Sequence, residues 1–208
     1  MKQAATGIHS ARQSGFTLVE IAIVLVIIGL ILGGVLKGQV LIDNAKYKNF
    51  VKQMESFRAG VYTFQDTYRA LPGDIGVITA LDASATAGNG DGVIDGQECD
   101  TDDEESCLVW SHLRYAGIIA GDPSVTTTSA PPTHTYGGNV SSIATGNWAN
   151  SVTEIKILTL GIPGDVAQRY DNEFDDGDAT SGSVARYEAG EASTTYDITK
   201  SHAVYISL

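Results

Sequence analysis

Two groups of residues in this chain have types and spacings that could do chemistry. The first is Glu20, a lone carboxylate that follows Gly15-Phe16-Thr17-Leu18-Val19 and stands at the mouth of the uncharged apolar run 21–36. A carboxylate deep in hydrocarbon costs roughly 2.5–3.5 kcal/mol on insertion scales, so it calls for a neutralising partner, and its own chain offers no evident one. The second is the loop 89–98, with oxygen donors at Asn89, Asp91, Asp95 and Glu98, the Val93 carbonyl between them and Gly92 at the tight turn. That spacing is most of a calcium-binding loop, in which alternate residues aim about six to eight oxygens at one ion. Ala87 occupies the first ligand position and cannot bind, and no helical pattern precedes it. The same residues also read as an acidic surface turn that holds no ion. Catalytic residues are not expected: the chain has no Gly-x-Ser-x-Gly elbow, phosphate loop or zinc signature, and His9, His112, His134 and His202 are scattered.

The segment in front of Glu20 has an unusual order. A secretory signal carries its cleavage site behind the apolar segment, beside small residues. Here a polar leader, residues 1–15, comes first; it holds Lys2 and Arg12 and no acid, which suits the cytoplasmic side of a membrane. It ends in Gly15, where a protease meets an unhindered backbone.

Gly15-Phe16-Thr17-Leu18-Val19-Glu20, with the apolar helix behind it, resembles the class III signal of type IV pilins and of the pseudopilins of type II secretion. The resemblance implies a set of expectations. A membrane prepilin peptidase would cut between Gly15 and Phe16 and methylate the new amino terminus. The ammonium of Phe16 on a neighbouring subunit would then neutralise Glu20 in a growing filament. Partners would be other pilin subunits, the peptidase and an inner-membrane assembly platform. Two plainer readings of the same residues stay open: an uncleaved signal anchor, and a glutamate held near the headgroups by the helix macrodipole.

The elements that must position these groups follow from periodicity. Residues 16–36 match the roughly 20 apolar residues that cross a bilayer, and one such span is present. Gly29, Gly33, Gly34 and Gly38 lie in or just beyond it, where small residues let helices approach closely. Many pilins carry a proline near this point; this chain has Lys37, so the glycines are the candidates for local softening. Farther on, Phe50, Met54, Phe57, Val61, Phe64 and Tyr68 recur on one helical face, opposite Lys48, Lys52, Glu55, Gln65 and Asp66. Leu71-Pro72-Gly73-Asp74 closes the pattern. One helix over 16–70 is predicted, about 80 Å long at about 1.5 Å per residue.

The rest is predicted to be a globular head over 71–208. A short helix is expected over 109–119 and strands over 154–160, 183–188 and 196–208, with a turn at Asp175-Asp176-Gly177-Asp178. The run 126–132 reads as an exposed loop. The fold class is α+β: a long N-terminal helix, transmembrane over 16–36 and amphipathic over 37–70, packed on a head with a small antiparallel sheet, pilin-like. Cys99 and Cys107 are the only cysteines. In an exported domain they are expected to be joined, closing a loop worth about 2–3 kcal/mol beside the acid run Asp100, Asp102, Asp103, Glu104 and Glu105, itself read as a solvated loop. His112 and His134 show no metal-ligand spacing to them.

A formal charge of −12 argues against a basic patch for nucleic acid. Two functional classes compete: a structural filament subunit, and a membrane-tethered binding head such as an adhesin or tip-priming minor subunit. Before assembly either would sit in the inner membrane, leader in the cytoplasm and head in the periplasm; afterwards, in a filament. The large head, without the compact calcium-loop pattern that the resemblance would imply for a major pseudopilin, favours a pilus subunit, with a minor pseudopilin of type II secretion as the alternative.

Overall fold

The computed structural model describes residues 15–146, 154–187 and 193–208. The leader residues 1–14, with Lys2, His9 and Arg12, lie outside the described residues, as does Glu188 at the end of one predicted strand. The chain divides into two compact units, Met1–Asn44 and Ala45–Leu208.

In the first unit, helix α1 (Leu18–Tyr68) begins, and it continues into the second. Among the described residues it is the one helix long and apolar enough to cross a membrane. Consecutive residues on every side of it are exposed apolar groups: Val24 is 50%, Leu25 63%, Val26 63% and Ile27 50% exposed. A helix apolar all round has no polar face to give to water, so it needs hydrocarbon or other helices about it.

In the second unit the same helix becomes one-sided. Tyr47, Phe50, Met54, Phe57, Val61 and Phe64 are buried, which is the predicted stripe extended one turn earlier. Lys48, Lys52, Glu55, Gln65 and Asp66 are exposed as expected. The helix ends at Tyr68, two residues before the predicted stop, because Arg69 adopts a left-handed φ of 56° while its N–H still bonds the Gln65 carbonyl. That conformation terminates a helix before proline can.

The stripe packs on aromatic side chains from the elements that follow. Phe57 meets Trp110 of α2 (Glu105–Tyr115) edge-on at 5.3 Å, and Phe50 meets Tyr170 of α3 (Gly164–Phe174) at 5.6 Å. Four strands, β1 (Val140–Gly146), β2 (Glu154–Pro163), β3 (Val184–Arg186) and β4 (Ser201–Ser207), form an antiparallel sheet in the order β1-β2-β4-β3. Register aligns Ile143, Ile157, Ile206 and Val184 across the four strands, and all four belong to the core that holds the α1 stripe. The opposite face aligns Ser142, Leu158, Tyr205 and Ala185, also buried.

Several expectations for the head are corrected. α2 starts at Glu105, four residues ahead of the predicted start, and stops at Tyr115. Glu105 is 7% exposed, so the acid run is not wholly a solvated loop. β4 occupies only the second half of 196–208, and β3 is three residues long. β1 and α3 were not anticipated. Loop 94–97 covers the outer edge of β1: Thr145 N–H donates to the Ile94 carbonyl at 3.0 Å, and Ser142 Oγ donates to the Gln97 carbonyl. A covered edge cannot template pairing with another sheet.

Candidate functional site

The first candidate is the start of α1. Gly15 to Thr17 are non-helical and exposed, with Phe16 83% exposed and nothing within 4 Å of the place a Gly15 side chain would occupy. The Gly15–Phe16 peptide therefore stands clear of secondary structure, which suits an enzyme that must take the backbone in extended form.

Thr17 precedes the first helical residue and forms a reciprocal cap with Glu20. The Thr17 N–H and Oγ1–H donate to Glu20 Oε2 at 2.8 and 2.9 Å, and the Glu20 N–H donates to Thr17 Oγ1 at 3.2 Å. Helix starts leave four backbone N–H groups without intrahelical partners, and a Thr-x-x-Glu pair satisfies two of them. Glu20 thus has hydrogen-bond partners inside its own chain, although Thr17 carries no charge that would neutralise the carboxylate. Thr17 is the residue that sequence reasoning passed over, although Thr17-Leu18-Val19-Glu20 spells the pattern. All the bonds the carboxylate accepts here fall on Oε2, so Oε1 retains acceptor capacity for a cation.

The second candidate, loop 89–98, is held by residues from outside it. The buried Glu105 carboxylate accepts the Asn89 N–H through Oε1 at 2.7 Å and the Asp95 N–H through Oε2 at 2.9 Å. The buried Asp74 Oδ2 accepts the Gly92 N–H at 3.0 Å. Within the loop, Asn89 Oδ1 accepts from Asp91 N–H, Asp91 Oδ1 from Val93 N–H, and Asn89 Nδ2 donates to Asp95 Oδ2. Oxygens that sequence spacing aimed at one ion are here turned to backbone donors, as Asn and Asp do in turns. Asp91, Asp95 and Glu98 are not drawn into one group; among the described residues the three carboxylates that come together are Asp171, Asp175 and Asp176. Calcium at 89–98 therefore stands as a proposal that this geometry does not advance.

Cys99 and Cys107 form a disulfide with Cα atoms 4.8 Å apart. Cys107 lies in the first turn of α2, so the bridge ties the acid loop to the helix whose Glu105 holds loop 89–98. Two of the buried histidines, His112 and His134, are clamps. His112 Nε2–H donates to the Thr86 carbonyl at 2.7 Å while Nδ1 accepts the Gly73 N–H at 2.8 Å. His134 Nε2–H donates to the Leu160 carbonyl at 2.8 Å and Nδ1 accepts the Tyr136 N–H at 3.2 Å. Burial lowers the pKa of both below the ordinary histidine range, against the smaller raising effect of the carbonyl bonds. With both ring nitrogens engaged by backbone, each ring fixes loops.

Comparison with known proteins bears on the first candidate. Residues 10–36 match the family model described as the prokaryotic N-terminal methylation motif. No curated protein and no solved structure matches the chain significantly.

Proposed function

We propose, from the premise that residues 10–36 carry the prepilin signal of type IV pilins and pseudopilins, that this chain is a structural subunit of a type IV pilus-like filament. Prepilin peptidase would cleave between Gly15 and Phe16, and an inner-membrane platform would polymerise the product through α1. The observation that carries the reading is the pairing of an exposed Gly15–Phe16 peptide with a capped helix that is apolar on every side. Such a helix is anchored in the bilayer before assembly, with the leader cytoplasmic and the head periplasmic, and exchanges lipid for neighbouring helices in the filament.

Cleavage would leave Phe16 with a free ammonium, cationic with or without a methyl group. The Thr17–Glu20 cap does not use that ammonium, so it survives the cut. Its role is to hold the carboxylate at the first turn, where Oε1 can receive the ammonium of an adjacent subunit. In a low-dielectric surrounding such a pairing is strongly favoured over two separate charges. Glu20→Ala should leave cleavage and membrane insertion intact and abolish incorporation into filaments, read by comparing processed membrane-bound protein with sheared filaments on immunoblots. Normal incorporation of the variant would contradict the assembly role.

A further inference from the structure

Charge along α1 changes sign where the helix joins the head. From Asn44 to Met54 it carries Lys46, Lys48 and Lys52 and no acid, whereas residues 55–208 hold 23 acidic side chains against 7 basic ones. All three lysines are exposed, and among the described residues none of them enters an ion pair. The two lysines farther on are engaged: Lys156 is buried with Nζ 5.8 Å from the centre of the Tyr205 ring, and Lys200 meets Asp197 at 3.4 Å. Tyr47 and Phe50, which alternate with the three lysines, are buried in the head. The backbone that carries the lysines is therefore already ordered, and a partner has only their side chains left to fix.

The distance from apolar surface identifies the partner. Val40, Leu41 and Ile42 are still exposed apolar residues, and Asp43 is the first acid after Glu20. At about 1.5 Å of rise per residue, Lys46 and Lys48 follow Ile42 by about 6 and 9 Å along the same helix, and Lys52 by about 15 Å. Attraction between exposed charges fades over about 8 Å at physiological ionic strength. Lys46 and Lys48 thus come within reach of the headgroups around such a span, and Lys52 stands at the margin. A head with so large an excess of acid is repelled by an anionic leaflet unless cations stand between the two. The ammonium of lysine, a compact point charge on a flexible stem, suits a phosphate with no fixed orientation. Orientation of the span in the membrane does not call for these lysines, because positive charge serves that purpose on the cytoplasmic side, where the leader supplies Lys2 and Arg12.

We propose that Lys46 and Lys48, with a smaller share from Lys52, bind the phosphates of anionic phospholipids in the leaflet on the head's side of the membrane. The inference rests on the bilayer-anchored state proposed above. Its test is the lipid selectivity of the full chain in phosphatidylcholine vesicles, read by electron spin resonance as the association of spin-labelled phosphatidylglycerol relative to spin-labelled phosphatidylcholine. The parent chain should prefer phosphatidylglycerol. In the double variant Lys46→Gln/Lys48→Gln, with Lys37 and the leader left in place, the preference should fall at least about threefold, since a lysine at the surface is worth about fivefold. Lys52→Gln should lower it less, and Lys200→Gln should not change it. At about 1 M salt, which screens charges beyond about 3 Å, the difference between parent and double variant should vanish. Equal selectivity in parent and double variant, or a difference that persists in high salt, would overturn the proposal while leaving the anchored state intact. A chain that does not float with the vesicles would overturn both. A double variant that keeps its lipid selectivity but no longer enters filaments would assign the lysines to acids of a neighbouring subunit instead.

Discussion

The two stretches of α1 carry apolar residues of the same kinds to opposite fates. Leu25 is 63% exposed and Phe57 6%, although both stand in one unbroken helix. In the Ala45–Leu208 unit the apolar residues fall on one face and find partners in Trp110, Tyr170 and the inward row of the sheet. In the Met1–Asn44 unit they fall on every face, and none of the described residues from Gly15 to Asn44 is buried. Pattern, more than hydrophobicity, therefore decides where the stabilising contacts come from. A stripe is satisfied by its own chain, whereas an all-round apolar helix is satisfied only by lipid or by other helices.

The sharpest way to break this comparison is to truncate one side chain in each stretch. Phe57→Ala should destabilise the head by about 3–5 kcal/mol through lost burial and a cavity beside Trp110. Leu25→Ala should change the head by less than about 0.5 kcal/mol, since no contact of the folded unit is removed. Urea unfolding of the full chain in detergent, followed by tryptophan fluorescence, reads both. A comparable loss in Leu25→Ala would mean that the span contributes to the head's own core.

Thr17→Ala gives a smaller effect on the other side of the comparison. Loss of the cap should cost about 1 kcal/mol of local helix stability. It would appear as faster amide exchange in the first turn of α1 in micelles, with no change in head unfolding. Unchanged exchange would mean that the Thr17–Glu20 bonds do not form in a membrane-like surrounding.

Legibility in the sequence followed the same division. The stripe from Phe50 to Tyr68 was plain because only one face is buried. α2 begins four residues before its expected start because Glu105 through Leu113 are all buried, which erases the period that marks a helix face. β2 lies where a strand is expected over 154–160, yet its Lys156 is 5% exposed because both faces of the sheet are covered. α3 left a signal that was missed: Pro163 and Asp165 at its start, then Val166, Ala167 and Tyr170 on one side. The spacing of loop 89–98 was legible, whereas its anchors were not. Asp74 and Glu105 reach the loop only in the folded chain, and no local pattern announces contacts of that range. Thr17 is announced by the local Thr-x-x-Glu pattern itself, which needs no long-range contact to be read.

The boundary between Gly15 and Phe16 is proposed above as a processing site that prepares the all-round apolar helix for assembly. The mass of the intact N-terminal peptide, taken from protein isolated from cells that express a prepilin peptidase, tests it most directly. A chain beginning at Phe16 with a methylated amino group is expected. A chain that still begins at Met1, or one cut behind the apolar span, would contradict it.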